Sequence, residues 1–335
     1  MEVRPVLRGS AKLWQHEETG FAAVGVCTER IAERGEDADP LLLFHRPTRH
    51  GLLAVFDGVG GAGRGTAGRA GTGLDRTQAW VASRRVRGLV EEWFTTDRTG
   101  DLRERIVARL AAGTRRGSRV RGSIAREFPS TFAGLAFQLG ETGVRWEVLW
   151  AGDSRCYVAE PTLGLQQLSR DDTDSADALE LLVQDPPMTN MVSASRDFQL
   201  NRWQGSTLRP CLLVCATDGF FGYVDTPAEF EYLLWDTLLS AQEITHWSAL
   251  LAERVTAYTG DDASLVVAAL GFRTFDELRA SFRTRRDLLH TEHAEPMRLA
   301  REHGRAALVP ARERSWRLYR RLYERRLPGA EGEVR

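Results

Sequence analysis

The stretch Gly51-Leu52-Leu53-Ala54-Val55-Phe56-Asp57-Gly58-Val59-Gly60-Gly61 decides how this chain is read. Leu52 to Phe56 run apolar without polar alternation, the pattern of a strand buried on both faces. A carboxylate follows at once, then a cluster of glycines. This carries Asp57 and the carbonyl beside it to a sheet edge, where hard divalent cations find the oxygen ligands they prefer. The device recurs. Cys211 to Thr217 run apolar into Asp218-Gly219, Val148 to Ala151 run into Gly152-Asp153-Ser154, and Gly260-Asp261-Asp262 opens the apolar run Leu265 to Leu270. A single Asp-Gly pair after a strand is ordinarily a turn, because Asp bonds its own backbone and Gly takes positive φ. Several carboxylates, each abutting a buried strand of similar length, argue instead for one shared site.

Working outward, 335 residues with 42% hydrophobic content can bury a sizeable core. No apolar run reaches the length of a membrane span, and Met1 to Gly20 lack a signal-peptide pattern. Cys27, Cys156, Cys211 and Cys215 all sit in apolar strand-like contexts, with Cys211 and Cys215 spaced to share one face. Core packing, not zinc or a disulfide, is the expectation, and with it a soluble cytoplasmic protein. Residues 272–335 hold 16 Arg against 10 Asp and Glu, a net of +6, so a whole-chain charge of −1 leaves the rest at −7. An acidic main domain does not suit nucleic acid as partner.

The pattern predicts strands over 21–27, 41–44 and 52–56, and one long helix over 66–94. A second helix is expected over 101–126, broken near Gly113 and Gly117. Strands follow at 131–139, 145–151, 155–159 and 165–168, then an acidic turn-rich segment over 169–190. Two strands (197–204, 211–217), a helix pair (228–240, 244–258) and a strand (264–270) complete residues 1–271. Strand runs separated by helix pairs indicate an α+β layered fold. Residues 272–335 read as an Arg-rich helical extension with breaks at Pro296 and Pro310. Trp316, Tyr319, Leu322 and Tyr323 fall at helical spacing there, a stripe that either docks on its own domain, the preferred reading, or takes a partner.

The ordered set Phe56-Asp57-Gly58-Val59-Gly60-Gly61, Gly152-Asp153-Ser154-Arg155-Cys156-Tyr157, Thr217-Asp218-Gly219-Phe220 and Gly260-Asp261-Asp262-Ala263-Ser264 resembles the type 2C metal-dependent (PPM) serine/threonine protein phosphatases. Glu36-Asp37, Ser130-Thr131 and Asp185-Pro-Pro-Met-Thr-Asn190 also look like that family's pieces. The resemblance covers about residues 20–271, and the glycine loop without histidine at Val59 looks like the bacterial branch. It implies a four-layer α-β-β-α sandwich of two antiparallel sheets, with two Mn²⁺ or Mg²⁺ ions at one edge. Carried over by position, Asp57 would bridge the ions and Asp218 and Asp261 would hold the first. Glu36 and the Gly58 carbonyl would serve the second, with Asp37 supporting and Asp153 helping to form a weaker third site. The implied substrate is a phosphoprotein, the product of a serine/threonine kinase. The family's phosphate-binding arginine falls here at Ala32, so Arg30 and Arg34 on either side become the candidates, with Arg64 next. The segment 169–190 corresponds to the family's flap, shorter and more acidic here, and Asp262 replaces the usual Asn.

The chemistry agrees without the family name. Anionic phosphate esters repel hydroxide, and paired cations both supply one near neutral pH and neutralise the phosphoryl oxygens. None of the seven histidines lies in these motifs, which favours an all-oxygen site over zinc. Gly58-Val-Gly60-Gly-Ala-Gly63 also matches a dinucleotide fingerprint, but no second strand follows at the spacing that motif needs. The more serious rival is a pseudophosphatase, the same fold kept as a regulatory binding module.

Overall fold

In the computed structural model, residues 11–63, 66–69, 75–96, 100–112, 127–175, 177–184, 186–194 and 198–329 are described. Two antiparallel sheets lie face to face. The first has six strands: β1 (Ala11–Glu18), β2 (Phe21–Thr28), β9 (Arg155–Glu160), β10 (Gly164–Gln167), β12 (Cys211–Ala216) and β13 (Ala263–Leu270), in the order β1-β2-β13-β12-β9-β10. The second has five: β3 (Ala38–His45), β4 (His50–Phe56), β7 (Phe132–Leu139), β8 (Gly143–Ala151) and β11 (Asn201–Leu208), in the order β11-β8-β7-β4-β3. Every residue of β2, β12 and β13 is buried, which is why these strands read as continuous apolar runs. One set of alternate residues, among them Leu53, Val55, Leu135, Val158, Leu213 and Val266, packs between the sheets. The opposite set faces helices, giving the four layers expected.

Helices α1 (Gln78–Thr96) and α2 (Leu102–Ala111) cover the second sheet, where Val86, Val90 and Ile106 meet Leu52, Ala54 and Phe56. The first sheet is covered by α5 (Pro227–Ser240), α6 (Ile244–Tyr258) and α7 (Phe275–Leu289). Two short helices, α3 (Ala178–Gln184) and α4 (Asp218–Phe221), lie near the strand ends, and α8 (Glu295–Glu302) and α9 (Arg305–Tyr323) finish the chain. All four cysteines are buried and free.

Several expectations change. The helix expected from residue 66 begins at Gln78. Before it, β5 (Thr66–Arg69) and β6 (Asp75–Thr77) pair antiparallel, and Gly68 in β5 disfavours helix. The second helix ends at Ala111, and residues 113–126 lie outside the described ones, as do Arg64 and Asp185. Strand β11 sits four residues later than expected, set by pairing from Asn201↔Trp150 to Leu208↔Gly143. The prolines do not break the tail helices where expected. A π turn over His290–Ala294 joins α7 to α8, and Pro296 falls in the first turn of α8. Pro310 lies early in α9, and the real break is Gly304 at φ +88°.

The tail shares the main core. Trp316, Tyr319 and Tyr323 are buried in the same cluster as Val24, Trp235 and Phe282. The Trp235 and Phe282 rings stack at 4.2 Å. Beneath them Arg285 forks onto Glu231 with two 2.8 Å bonds, while Trp235 Nε1 at 2.8 Å and the Tyr319 hydroxyl at 2.5 Å donate to the same carboxylate. A buried ion pair is tolerable only when its remaining lone pairs are answered in this way.

Candidate active site

The strand ends converge at one edge of the sandwich. Asp57 follows β4, its carbonyl accepting from Thr131 N and Ser130 Oγ, both at 2.8 Å. Gly58 is required next: a Cβ there would stand 2.7 Å from the Glu36 carbonyl and 2.8 Å from that of Ala79. Asp37 enters at the head of β3, 2% exposed, and Thr217 Oγ1 donates to its Oδ2 at 3.0 Å. Thr217 also holds β13 by accepting from Ser264 N at 2.8 Å, and it leads directly to Asp218 in the first turn of α4. Asp153 occupies the β8–β9 turn beside Gly152, whose φ of +110° suits glycine.

Electrostatics show which side chains meet. The Asp57 carboxyl is held well above the usual range by burial and then by the charges of Asp37, Asp218 and Asp153. Asp218 is raised likewise, by burial and then by Asp153, Asp261 and Asp37. Burial, then Asp262, pushes Asp37 up to about 7. Carboxyls crowded in this way must share protons or a cation. Asp153, Asp218 and the exposed Asp261 line one cavity of about 230 Å³ with Arg155, Asp171, Thr173, Leu181, Leu182 and Tyr223.

On the far side stands Glu36, half-buried and raised by burial, with Asp262 and Asp261 adding to it. Thr77 Oγ1 donates to its Oε1 at 2.5 Å, and its other oxygen lies where a Cβ on Gly60 would be, 2.0 Å away. Asp262 fixes the loop before it, accepting from Arg30 N at 2.8 Å and Glu36 N at 2.6 Å, one bond to each oxygen. An amide in this place would offer one acceptor where the loop uses two. Arg30 and Arg34 stand exposed on the same loop, and their guanidinium groups make no hydrogen bond or ion pair among the described residues.

A family model described as Protein phosphatase 2C matches residues 33–255. The chain belongs to that family. Its fold resembles serine/threonine phosphatase Stp1 from Staphylococcus aureus, at 17% identity and a TM-score of 0.51, covering 81% of this chain and 99% of that one. The Mycobacterium tuberculosis phosphatase PstP/Ppp matches at 18% identity and 0.49, over 78% and 98%. A catalytic domain of PstP in complex with two manganese ions matches at 17% and 0.45, over 78% and 97%. Identities this low establish the fold alone. A search of the curated proteins found no significant match.

The residues of this family member suit a hard divalent cation. The donors are all oxygen, the strongest influences on Asp57 and Asp218 are burial and other carboxyls, and Asp37 Oδ1 is buried without a donor. Among the described residues no three such side chains already form an ion cage.

Sequence reading missed the supports. Thr77 on Glu36 came from a stretch expected to be mid-helix. Arg84 Nη1 donates to the Glu36 carbonyl at 3.2 Å and Nη2 to that of Gly35 at 3.2 Å, its guanidinium 4.1 Å from the Trp80 ring. Arg76 stacks on the same ring at 4.5 Å and donates to the Glu33 carbonyl. The i, i+4, i+8 spacing Arg76-Trp80-Arg84 was the available signal. Arg155 forks onto Asp171 at 2.8 and 2.7 Å, wholly buried.

Proposed function

We propose that this phosphatase 2C family member hydrolyses phosphoserine and phosphothreonine monoesters on proteins in a reaction dependent on Mn²⁺ or Mg²⁺. The observation that carries this reading is the cluster of Asp37, Asp57, Asp153 and Asp218, in which burial and the neighbouring carboxylates together raise Asp57 and Asp218. Asp57, Asp218 and Asp261 would hold one ion. Asp57, Glu36 and the Gly58 carbonyl would hold a second, Asp37 would support them, and Asp153 would serve a third. When bound, such ions lower the pKa of a water and neutralise charge on the phosphoryl oxygens.

The chain's own groups supply the rest. Asp262 and Arg84 hold Glu36 in place through its backbone. Arg30 and Arg34, exposed beside Glu36, offer charged donors to the incoming phosphate. The substrate is a phosphoprotein made by a serine/threonine kinase.

The test is turnover of a chromogenic phosphate ester and a phosphothreonine peptide, with Mn²⁺, with Mg²⁺ and with chelator. Activity should need the cation and fall furthest in Asp57→Asn, which removes the charge shared by both ions, with Asp218→Asn and Asp261→Asn also severe. One observation favours the pseudophosphatase reading: alanine stands at position 32, and the side chains of Arg30 and Arg34 beside it make no described contact. Metal binding by calorimetry without turnover of either substrate would establish it.

A further inference from the structure

Helix α9 lies outside the matched family region, yet it reaches the wall of the carboxylate cavity. Arg155 is two residues from Asp153 in the chain. Its Nε and Nη2 go to Asp171, its guanidinium lies 4.2 Å from the ring of Phe221 in α4, and its Nη1 donates to Tyr323 Oη of α9 at 3.2 Å. One buried cation thus ties the Asp153 turn, the Asp171 segment, the helix that begins at Asp218, and the tail.

A second strap runs beside it. Asp177 caps α3 through Oδ1, accepting from Leu179 N at 2.9 Å and Glu180 N at 3.2 Å. Its Oδ2 is taken by α9: Trp316 Nε1 donates at 3.2 Å and Arg320 Nη1 at 2.9 Å. Leu181 and Leu182 of α3 line the cavity with Asp153, Asp218 and Asp261. Past the helix, Arg170 Nη2 donates to the Pro328 carbonyl at 3.1 Å, and Trp203 Nε1 donates to that of Arg326 at 2.9 Å. Arg326 in turn donates to Gln166 Oε1 at 3.0 Å and Glu160 Oε1 at 2.8 Å. The tail is laced to both sheets and to the flap between them.

We propose that Tyr323, Trp316 and Arg320 of α9 are positioning residues of the phosphatase site, holding Asp171 and α3 as the wall against which a phosphopeptide is seated. This rests on the phosphatase reading above. A chain segment at the rim of a cavity costs conformational entropy to fix, and the tail fixes it before substrate arrives. The flap is short, and the tail supplies the support that a longer flap would supply by its own packing.

The test uses the full chain and two conservative variants. Asp177→Asn keeps the Oδ1 cap, since Asn caps as well as Asp, but turns an amide NH₂ toward the Trp316 and Arg320 donors. Tyr323→Phe removes only the acceptor for Arg155. KM and kcat are measured for a phosphothreonine peptide and for a small chromogenic ester, and hydrogen exchange is followed in 171–182. KM for the peptide should rise about two- to thirty-fold, the range spanned by coupling through packed networks, with KM for the small ester unchanged. Exchange in 171–182 should quicken while β12 and β13 stay protected. Wild-type KM values together with wild-type exchange in both variants would overturn the proposal, as would equal losses on both substrates in step with a lower melting temperature. If the wild-type chain turns over neither substrate, the phosphatase reading fails. The exchange arm then decides alone, quickened exchange supporting the strap and unchanged exchange refuting it.

Discussion

The carboxylate cluster makes the metal-free protein lose stability as pH rises through neutrality, and divalent cation should reverse the slope. A carboxyl held above its unfolded value near 3.9 contributes stability that is complete below that value and is lost as pH climbs through the folded one. With Asp37 raised to about 7, its ionisation from about pH 6.5 to about pH 8 removes about 0.8 kcal/mol. Asp57 and Asp218, both raised well above the ordinary range by burial and neighbouring carboxyls, act in the same direction. One group opposes them. Burial, then Arg285, lowers His293 to about 4, so its stability is present above its unfolded value near 6.5 and is lost as pH falls toward 4, which offsets about 0.4 kcal/mol across the window. The net expectation is a drop of a few degrees in melting temperature between the two pH values, read by calorimetry in chelator. Millimolar Mg²⁺ or Mn²⁺ should convert it into a rise, because ligands must shed protons to bind. Asp57→Asn should raise the metal-free melting temperature, flatten its slope and abolish most of the cation-induced increase. A metal-free stability that is flat or rising over this window would refute the reasoning, since the carboxyls would then not be crowded.

Three further outcomes follow from single contacts. Asp262→Asn takes one acceptor from the Arg30–Glu36 loop, and should cost about 1 kcal/mol in denaturant melts while weakening manganese affinity by titration calorimetry. Gly60→Ala places a methyl on the Glu36 carboxylate, so the fold should survive by circular dichroism while the second ion is lost and turnover falls. Arg30→Ala or Arg34→Ala should raise KM for small phosphate esters more than it lowers kcat, as expected for binding common to ground and transition states. Silence at both positions shifts attention to Arg64.

The strands that frame the site were legible because they are buried on both faces, and burial on both faces leaves an unbroken apolar run ending visibly in Asp57, Asp153 or Asp218. Edge strand β1 was not, since most of its side chains are exposed and its sequence Ala-Lys-Leu-Trp-Gln-His-Glu-Glu carries no apolar run. The β5–β6 hairpin was hidden because the arginine and alanine around its glycines mimic a helix. Propensity suggested breaks at Pro296 and Pro310, but Pro296 follows a π turn and Pro310 lies inside α9. The candidate carboxylates could be read because each stands at a strand end. Thr77, Arg84 and Asp171 could not, because their roles arise from contacts between segments far apart in the chain, such as the 41 residues that separate Glu36 from Thr77.

The lacing of α9 into the main core also sets a timetable. Glu36 is made early and Asp261 late, and the Arg155 guanidinium waits for Tyr323 to complete its bonds. On a ribosome adding residues from the N-terminus, the sandwich can collapse while its cavity wall still lacks its last partner. The growing chain would thus carry Arg155 bonded to Asp171 but without its Tyr323 partner until α9 emerges. A nascent chain stalled before Trp316 would expose the apolar strip of Phe230, Tyr157 and Phe221 to chaperones.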